Sequence, residues 1–454
     1  MPPRALVAGT AMLAILGAAA VAAETAPRYT DDLRGFSLCP PAGAKVVRRP
    51  GAAELVKFVL GDGDTGRVPV QVSVQLNVQT GDPVTDLTAF SASLADHLRS
   101  TQNFQVDPAS LTETTLAGHA AVVMEGTAGG SVFGLFRRDV WVRLDDPRFL
   151  VLRATGPLDR SDEVKAAAET AAATLWLFDP TETREKLERD LARGSALLDK
   201  LDADALRGTL SPGDHWFALV RSGKVAGFVH IHEQWDRQDR AEGLRVVTES
   251  AVKGEASDDA PADKKKVRTL ARENAFCSFD RSFERWESFS VVLEGTDERS
   301  RHHVFGMKQH DLLLIQTVVG PRQTRANQVK VPVSIYLPRA MASVAPALLD
   351  RSQAGGYAFG RYDDATGGIE MRTLTVVGPT KATLGGQTFE GVELTDQAGP
   401  GAPLSQITVD EAGRVLTITR PQGTSLRRTT EQAIRARFAE ELTLLERAGR
   451  AREQ

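Results

Sequence analysis

Between His215 and Arg420 the chain offers one strand pattern after another, and this constrains the fold more than any other feature. His215 to Val220, the Ser222-Gly223 turn and Val225 to Glu233 read as a hairpin. Further strands are predicted at Leu244 to Val252, Val267 to Phe279, Arg285 to Leu293, Arg301 to Met307 and Leu312 to Val318. Four more follow at Met371 to Val377, Phe389 to Thr395, Ser405 to Val409 and Val415 to Arg420. A single helical pattern, Arg339 to Arg351, interrupts them. Consecutive strands joined by short turns pair antiparallel. So many of them around one inserted helix predict a large, strongly curved antiparallel sheet, a half-barrel wrapped around that helix. Ile434, Phe438, Leu442 and Leu445 then set a C-terminal helix beginning at Thr430.

The first third alternates differently. Val70, Val72, Val74 and Leu76 mark a half-buried strand, and Leu87, Phe90, Leu94 and Leu98 a helix between Pro83 and Asn103. Strands around Thr112 to Leu116, Ala120 to Gly126, Phe133 to Leu144 and Phe149 to Ala154 precede a helix from Ser161, read as its N-cap, to Trp176. The chain is thus α+β. Its expected parts are an N-terminal α/β sandwich over 24–179, a helical connector over 180–210 with Gly194 as a weak point, the curved β domain over 211–428 and a C-terminal helix over 429–454.

Tyr29, the Gly35-Phe36-Ser37-Leu38 run and Pro40-Pro41, followed by that order of elements, resemble the PsbP-like and DcrB-like domains of secreted bacterial and thylakoid-lumen proteins. Ala42-Gly43-Ala44 stands where that pattern carries an aromatic residue. The resemblance implies a noncatalytic assembly or stabilising module. The β-rich remainder is similar in architecture to LolA-like envelope domains. Gly227-Phe228-Val229-His230 and the turn from Asp410 to Leu416 resemble secreted bacterial domains of unknown function.

Residues 1–23 read as a secretory signal peptide: Arg4, an apolar run from Ala5 to Val21, and Val21-Ala22-Ala23 before Glu24. An uncleaved anchor is the alternative, since the run approaches the length of a span. Cleavage after Ala23 would leave the mature chain periplasmic or extracellular. The mature chain offers no further apolar stretch of spanning length. With 55 Lys+Arg against 59 Asp+Glu and a net charge of -4, there is no basic field for nucleic acid. Cys39 and Cys277 could pair in an oxidising compartment, but their apolar, strand-like surroundings favour two separately buried thiols.

Chemistry is sparse. His230 and His232, two apart on a strand, share a face and are the candidate metal ligands, with His215, His302 or His303 as a third and Glu233 as a base. The competing reading is the exposed polar face of a hairpin. No Gly-x-Ser-x-Gly or phosphate-binding loop is present, and Gly61 to Gly66 reads as a turn. Asp62, Asp64, Asp258 and Asp259 lack the pattern of a calcium loop. The exposed stretch from Gly254 to Lys266 and the Arg-rich C-terminal helix read as solvated. No cofactor is implied. Function therefore points to a secreted, noncatalytic envelope protein that binds a lipid or other apolar ligand in the curved sheet beneath Ala340 to Leu349, against a filled core. An interaction scaffold whose N-terminal domain docks a membrane complex, with an envelope protein as partner, and a metal-dependent hydrolase built on His230 and His232, are the rivals.

Overall fold

The computed structural model of the chain describes residues 28–48, 54–61, 68–78, 86–128, 134–145, 148–255, 266–295, 297–319, 323–364, 366–399, 402–421 and 423–450. The signal peptide, the Asp62 to Gly66 turn, and Asp258 and Asp259 lie outside the described residues. The chain divides into two compact units that meet in sequence near Thr183 and Arg184.

In the first unit, β1 (Tyr29–Asp31), β2 (Phe36–Leu38) and β11 (Trp176–Leu177) form a small sheet in the order β1-β2-β11. The main sheet uses β3 (Lys45–Arg48), β4 (Glu54–Leu60), β5 (Val70–Val78), β6 (Phe104–Val106), β7 (Thr112–Leu116), β8 (His119–Ala128), β9 (Leu135–Asp145) and β10 (Arg148–Pro157). Its order is β3-β4-β5-β10-β9-β8-β6, with β7 also on β8. Helices α1 (Leu87–Gln102) and α2 (Ser161–Ala173) cover opposite faces. Phe149, Val151 and Trp141 pack with Leu94 and Leu98 of α1, while Leu150, Leu152 and Val140 pack with Val164 and Ala168 of α2. Both faces are buried, so β9 and β10 carry apolar residues in both phases of the pleat. Ser161 is the first residue of α2 rather than its cap: Arg160 holds that position and makes no side-chain capping bond.

The second unit begins with α3 (Thr181–Lys200) and α4 (Ala203–Thr209). Fourteen strands follow, paired antiparallel throughout. In chain order they are β12 (Asp214–Arg221), β13 (Lys224–Gln238), β14 (Ala241–Glu255), β15 (Lys266–Ser278), β16 (Phe283–Glu294), β17 (Asp297–Gln309), β18 (Leu312–Val319) and β19 (Gln323–Lys330). After α5 (Arg339–Leu348) come β20 (Gly355–Asp363), β21 (Gly368–Leu384), β22 (Gln387–Gln397), β23 (Ser405–Val409), β24 (Val415–Thr419) and β25 (Thr424–Thr429), then α6 (Glu431–Arg450). The sheet runs β19 to β12 in descending order, crosses to β25 and descends to β20. It is not a closed barrel: β19 and β20 are its ends. Asn327 in β19 donates to the Gly367 carbonyl beyond β20 at 2.9 Å, so the two ends approach each other. Helix α5 shares one core cluster with residues from β14 to β18 and from β20 to β23.

Gly194 of α3 serves close packing. A Cβ there would strike the Ala358 carbonyl of β20, which explains a glycine in mid-helix despite its propensity cost. Cys277 is buried and Cys39 half-buried; both are free thiols, so the expectation of burial holds fully only for Cys277. Burial, with Glu284 nearby, pushes the Cys277 thiol far up, away from reactivity.

Candidate binding groove beside helix α5

Small side chains let α5 sink most of its surface into the sheet. Ala340, Met341, Ala342, Val344 and Ala345 are all buried, and only Ser343 and Ala347, one turn apart, reach toward solvent. Its ends therefore need partners from elsewhere. At the N-terminus, Glu284 of β16 accepts from the Arg339 backbone N–H at 2.6 Å and from the Tyr336 hydroxyl at 2.9 Å. Burial pushes the Glu284 carboxyl up, and these donors hold the shift back. At the C-terminus, the Arg351 guanidinium donates to the carbonyls of Pro346, Ala347 and Leu349 at 3.1, 2.8 and 3.2 Å. A cation among the last carbonyls also suits the helix dipole.

Beneath the helix lies a buried ionic floor. Arg339 donates to Glu273 at 2.8 Å and Asp364 at 2.6 Å, and its guanidinium sits 4.5 Å from the Trp286 ring centre. Gly306 makes room for that indole, which a Cβ would strike. Arg372 holds both oxygens of Asp396, at 2.8 and 2.9 Å, and donates to the Ala342 carbonyl of α5 at 3.2 Å. Arg361, one strand over, makes no hydrogen bond or ion pair with a described residue; its Nε is shut away from water and unpartnered. Burial, then the neighbouring Arg372 and Arg339 charges, lowers its pKa to about 10 against the opposing pull of Glu273 and Asp396. It stays protonated at neutral pH.

Most of the space under α5 is solid core, as the filled-core reading expects. Beside it, however, a cavity of about 110 Å³ opens between Ala342, Ser343 and Pro346 of the helix and Phe217, Val229, Ile231, Ile407, Val415, Ile418 and Leu426 of the sheet. Glu273, Arg361, Arg372 and Asp396 line its polar end. A second hollow of about 90 Å³ shares Phe217, Ile231, Ser343, Pro346 and Val415 with it and continues toward Leu210 and His215. The β12–β13 pairing sets Phe217 against Val229 and His215 against Ile231, so this face of the hairpin is in phase and apolar.

The opposite face carries the histidine motif. His230 and His232 share that face as expected, and the register brings Asp214 and Glu249 to them. His230 bonds Asp214 at 2.7 Å and Glu249 at 3.3 Å; His232 bonds the same Asp214 oxygen at 3.0 Å. The His230 ring stacks on Trp216 at 3.8 Å. Burial opposes its charge, but the two carboxylates outweigh it and raise the His230 pKa. Glu249 is held below its ordinary range chiefly by the His230 hydrogen bond. A polar cavity of about 210 Å³ separates this cluster from Glu431, Arg435 and Glu446 of α6.

The other expected ligands are elsewhere. His215 and Glu233 project to the groove face and pair with each other at 3.5 Å, because one residue along a strand reverses the side. His302 and His303 sit on β17, four strands from β13, where His303 bonds Glu287 at 3.1 Å. Among the described residues no group of three or more His, Cys, Asp or Glu side chains is arranged to hold a metal ion. Among the same residues no helix is long and apolar enough to cross a membrane.

No family model matches the chain, and no curated protein does. Solved structures are similar to it. LpqN, involved in cell envelope biogenesis of Mycobacterium tuberculosis, has 18% identity over 32% of this chain and 83% of its own, with a TM-score of 0.28. A β-barrel-like protein of the domain of unknown function DUF1849 from Brucella abortus has 9% identity over 49% of this chain and 97% of its own, with a TM-score of 0.35. The PsbP protein of the cyanobacterium Synechocystis has 17% identity over 36% of this chain and 99% of its own, with a TM-score of 0.27. The neighbours thus include a PsbP protein and an envelope protein, the kinds of protein that the sequence resembles. At these TM-scores the functional argument rests on this chain's own residues.

Proposed function

We propose that this chain is a noncatalytic binding protein of the bacterial envelope, exported by residues 1–23, whose second unit is a half-barrel holding an apolar molecule beside α5. The observation that carries this reading is the apolar cavity of about 110 Å³ where strand side chains face a buried helix without meeting it. Concave, mostly apolar sites with a few polar groups at one end are the usual form of small-molecule sites.

Native mass spectrometry of the chain purified from a bacterial periplasm tests it. The expected result is an added mass that organic extraction removes and that is missing from Ile231→Trp, a substitution that fills the groove. Bare protein in both cases, with added apolar probe also failing to bind, sinks the proposal. Thermal melting of the variant establishes that it folds.

A further inference from the structure

The groove's polar end holds four charged side chains, and three of them are committed. Glu273 receives Arg339, and Arg372 and Asp396 are locked together by two hydrogen bonds. Arg361 alone makes no hydrogen bond or close ion pair with a described residue: its Nε is buried without an acceptor, although the Glu273 and Asp396 charges favour its protonated form from farther off. An N–H cut off from water without an acceptor is costly, and an acceptor that enters the groove and reaches it recovers that cost. Guanidinium groups take carboxylate or phosphate through paired, charge-assisted hydrogen bonds.

From this charge complementarity we infer that the groove takes a single-chain amphiphile with a carboxylate head, bound head inward against Arg361. Its alkyl chain runs past Ile418 and Phe217 into the adjoining hollow toward Leu210. Two features select this ligand over a phospholipid. One free positive charge matches a monoanion, whereas a dianionic phosphate would be repelled by Asp396 and Glu273 at the same end. The hollows, at about 110 and 90 Å³ and sharing Phe217, Ile231, Ser343, Pro346 and Val415 as walls, have room for one chain rather than two. This inference rests on the binding reading above.

Isothermal titration of the natural chain and Arg361→Met with dodecanoate, dodecan-1-ol and dodecyl phosphate tests it. The natural chain is expected to bind dodecanoate at least about tenfold tighter than dodecanol, the size of one charge-assisted bond. Arg361→Met should abolish that preference while leaving dodecanol affinity within about twofold, and Arg361→Lys should keep part of it. Equal binding of acid and alcohol by the natural chain, or an unchanged preference in Arg361→Met, overturns the inference while leaving the apolar groove standing. Tighter binding of dodecyl phosphate overturns the choice of head group. Binding of none of the three removes the groove reading itself. A cooperative thermal melt of ligand-free Arg361→Met shows that the variant is folded.

Discussion

The β12–β13 hairpin has two faces, and they solve the same burial problem in different ways. On one side Trp216 and Phe228 pack against Ile434, Phe438 and Leu445 of α6, and the polar residues gather into one histidine–carboxylate cluster. On the other, Phe217, Val229 and Ile231 face α5 across a hollow, above a floor of buried ion pairs. Alternation along the strands keeps the two chemistries apart. The lesson is that a covered face and a binding face need not differ in apolar content. They differ in whether the covering helix fills the space: α6 brings Ile434, Phe438 and Leu445, whereas α5 presents only Ala342, Ser343 and Pro346 to the hollow.

Breaking the floor should cost most. Arg339→Met leaves Glu273 and Asp364 without their partner, so equilibrium denaturation should show a loss of about 3–5 kcal/mol. On the outer side, Arg435→Met removes an exposed pair with Glu431 and should cost under about 0.5 kcal/mol. A comparable loss from both would erase the contrast between the faces.

Packing provides the next comparison. Phe438→Ala empties a filled core and should cost about 3 kcal/mol or more, whereas Ile418→Ala enlarges a hollow that already exists and should cost about 1 kcal/mol. The two variants measured by the same denaturant titration decide it; equal losses would mean that the groove is closed in solution.

The smallest effect is pH dependence on the outer face. The folded His230 pKa lies above its ordinary 6.5, so its contribution is complete below about 6.5 and is lost as pH rises through the folded value. Asp214 and Glu249 lie below their ordinary 3.8 and 4.5, so theirs is present above those values and is lost as pH falls. Stability should therefore contain a small maximum between about pH 4.5 and 6.5 that His230→Gln flattens, as melting temperature against pH would record. A parallel profile in the variant would mean that the cluster is not linked to folding.

The alternating segments from His215 onward were legible because each places Val, Leu or Phe in one phase. Gln323–Lys330, Gly355–Asp363 and Thr424–Thr429 were not. The first lies at a sheet end and has no large apolar alternation, the second opens on glycines, and the third is mostly polar. The shared face of His230 and His232 follows from period two alone. Their true partners, Asp214 and Glu249, come from register across neighbouring strands, which local sequence does not encode. Glu370 and Arg372 did carry a signal: they stand in phase with Leu374 and Val376, an ionic pair of positions within a buried stripe. Arg361 became distinctive only once its neighbours were seen to be paired with others.

The most direct measurement is a crystal of the chain soaked with a terminally brominated dodecanoate, with the bromine located by its anomalous signal. The account predicts a carboxylate at Arg361 and bromine in the hollow toward Leu210, between α5 and the β12–β13 hairpin. Bromine only on the protein surface, or a groove closed by its own side chains, would contradict it.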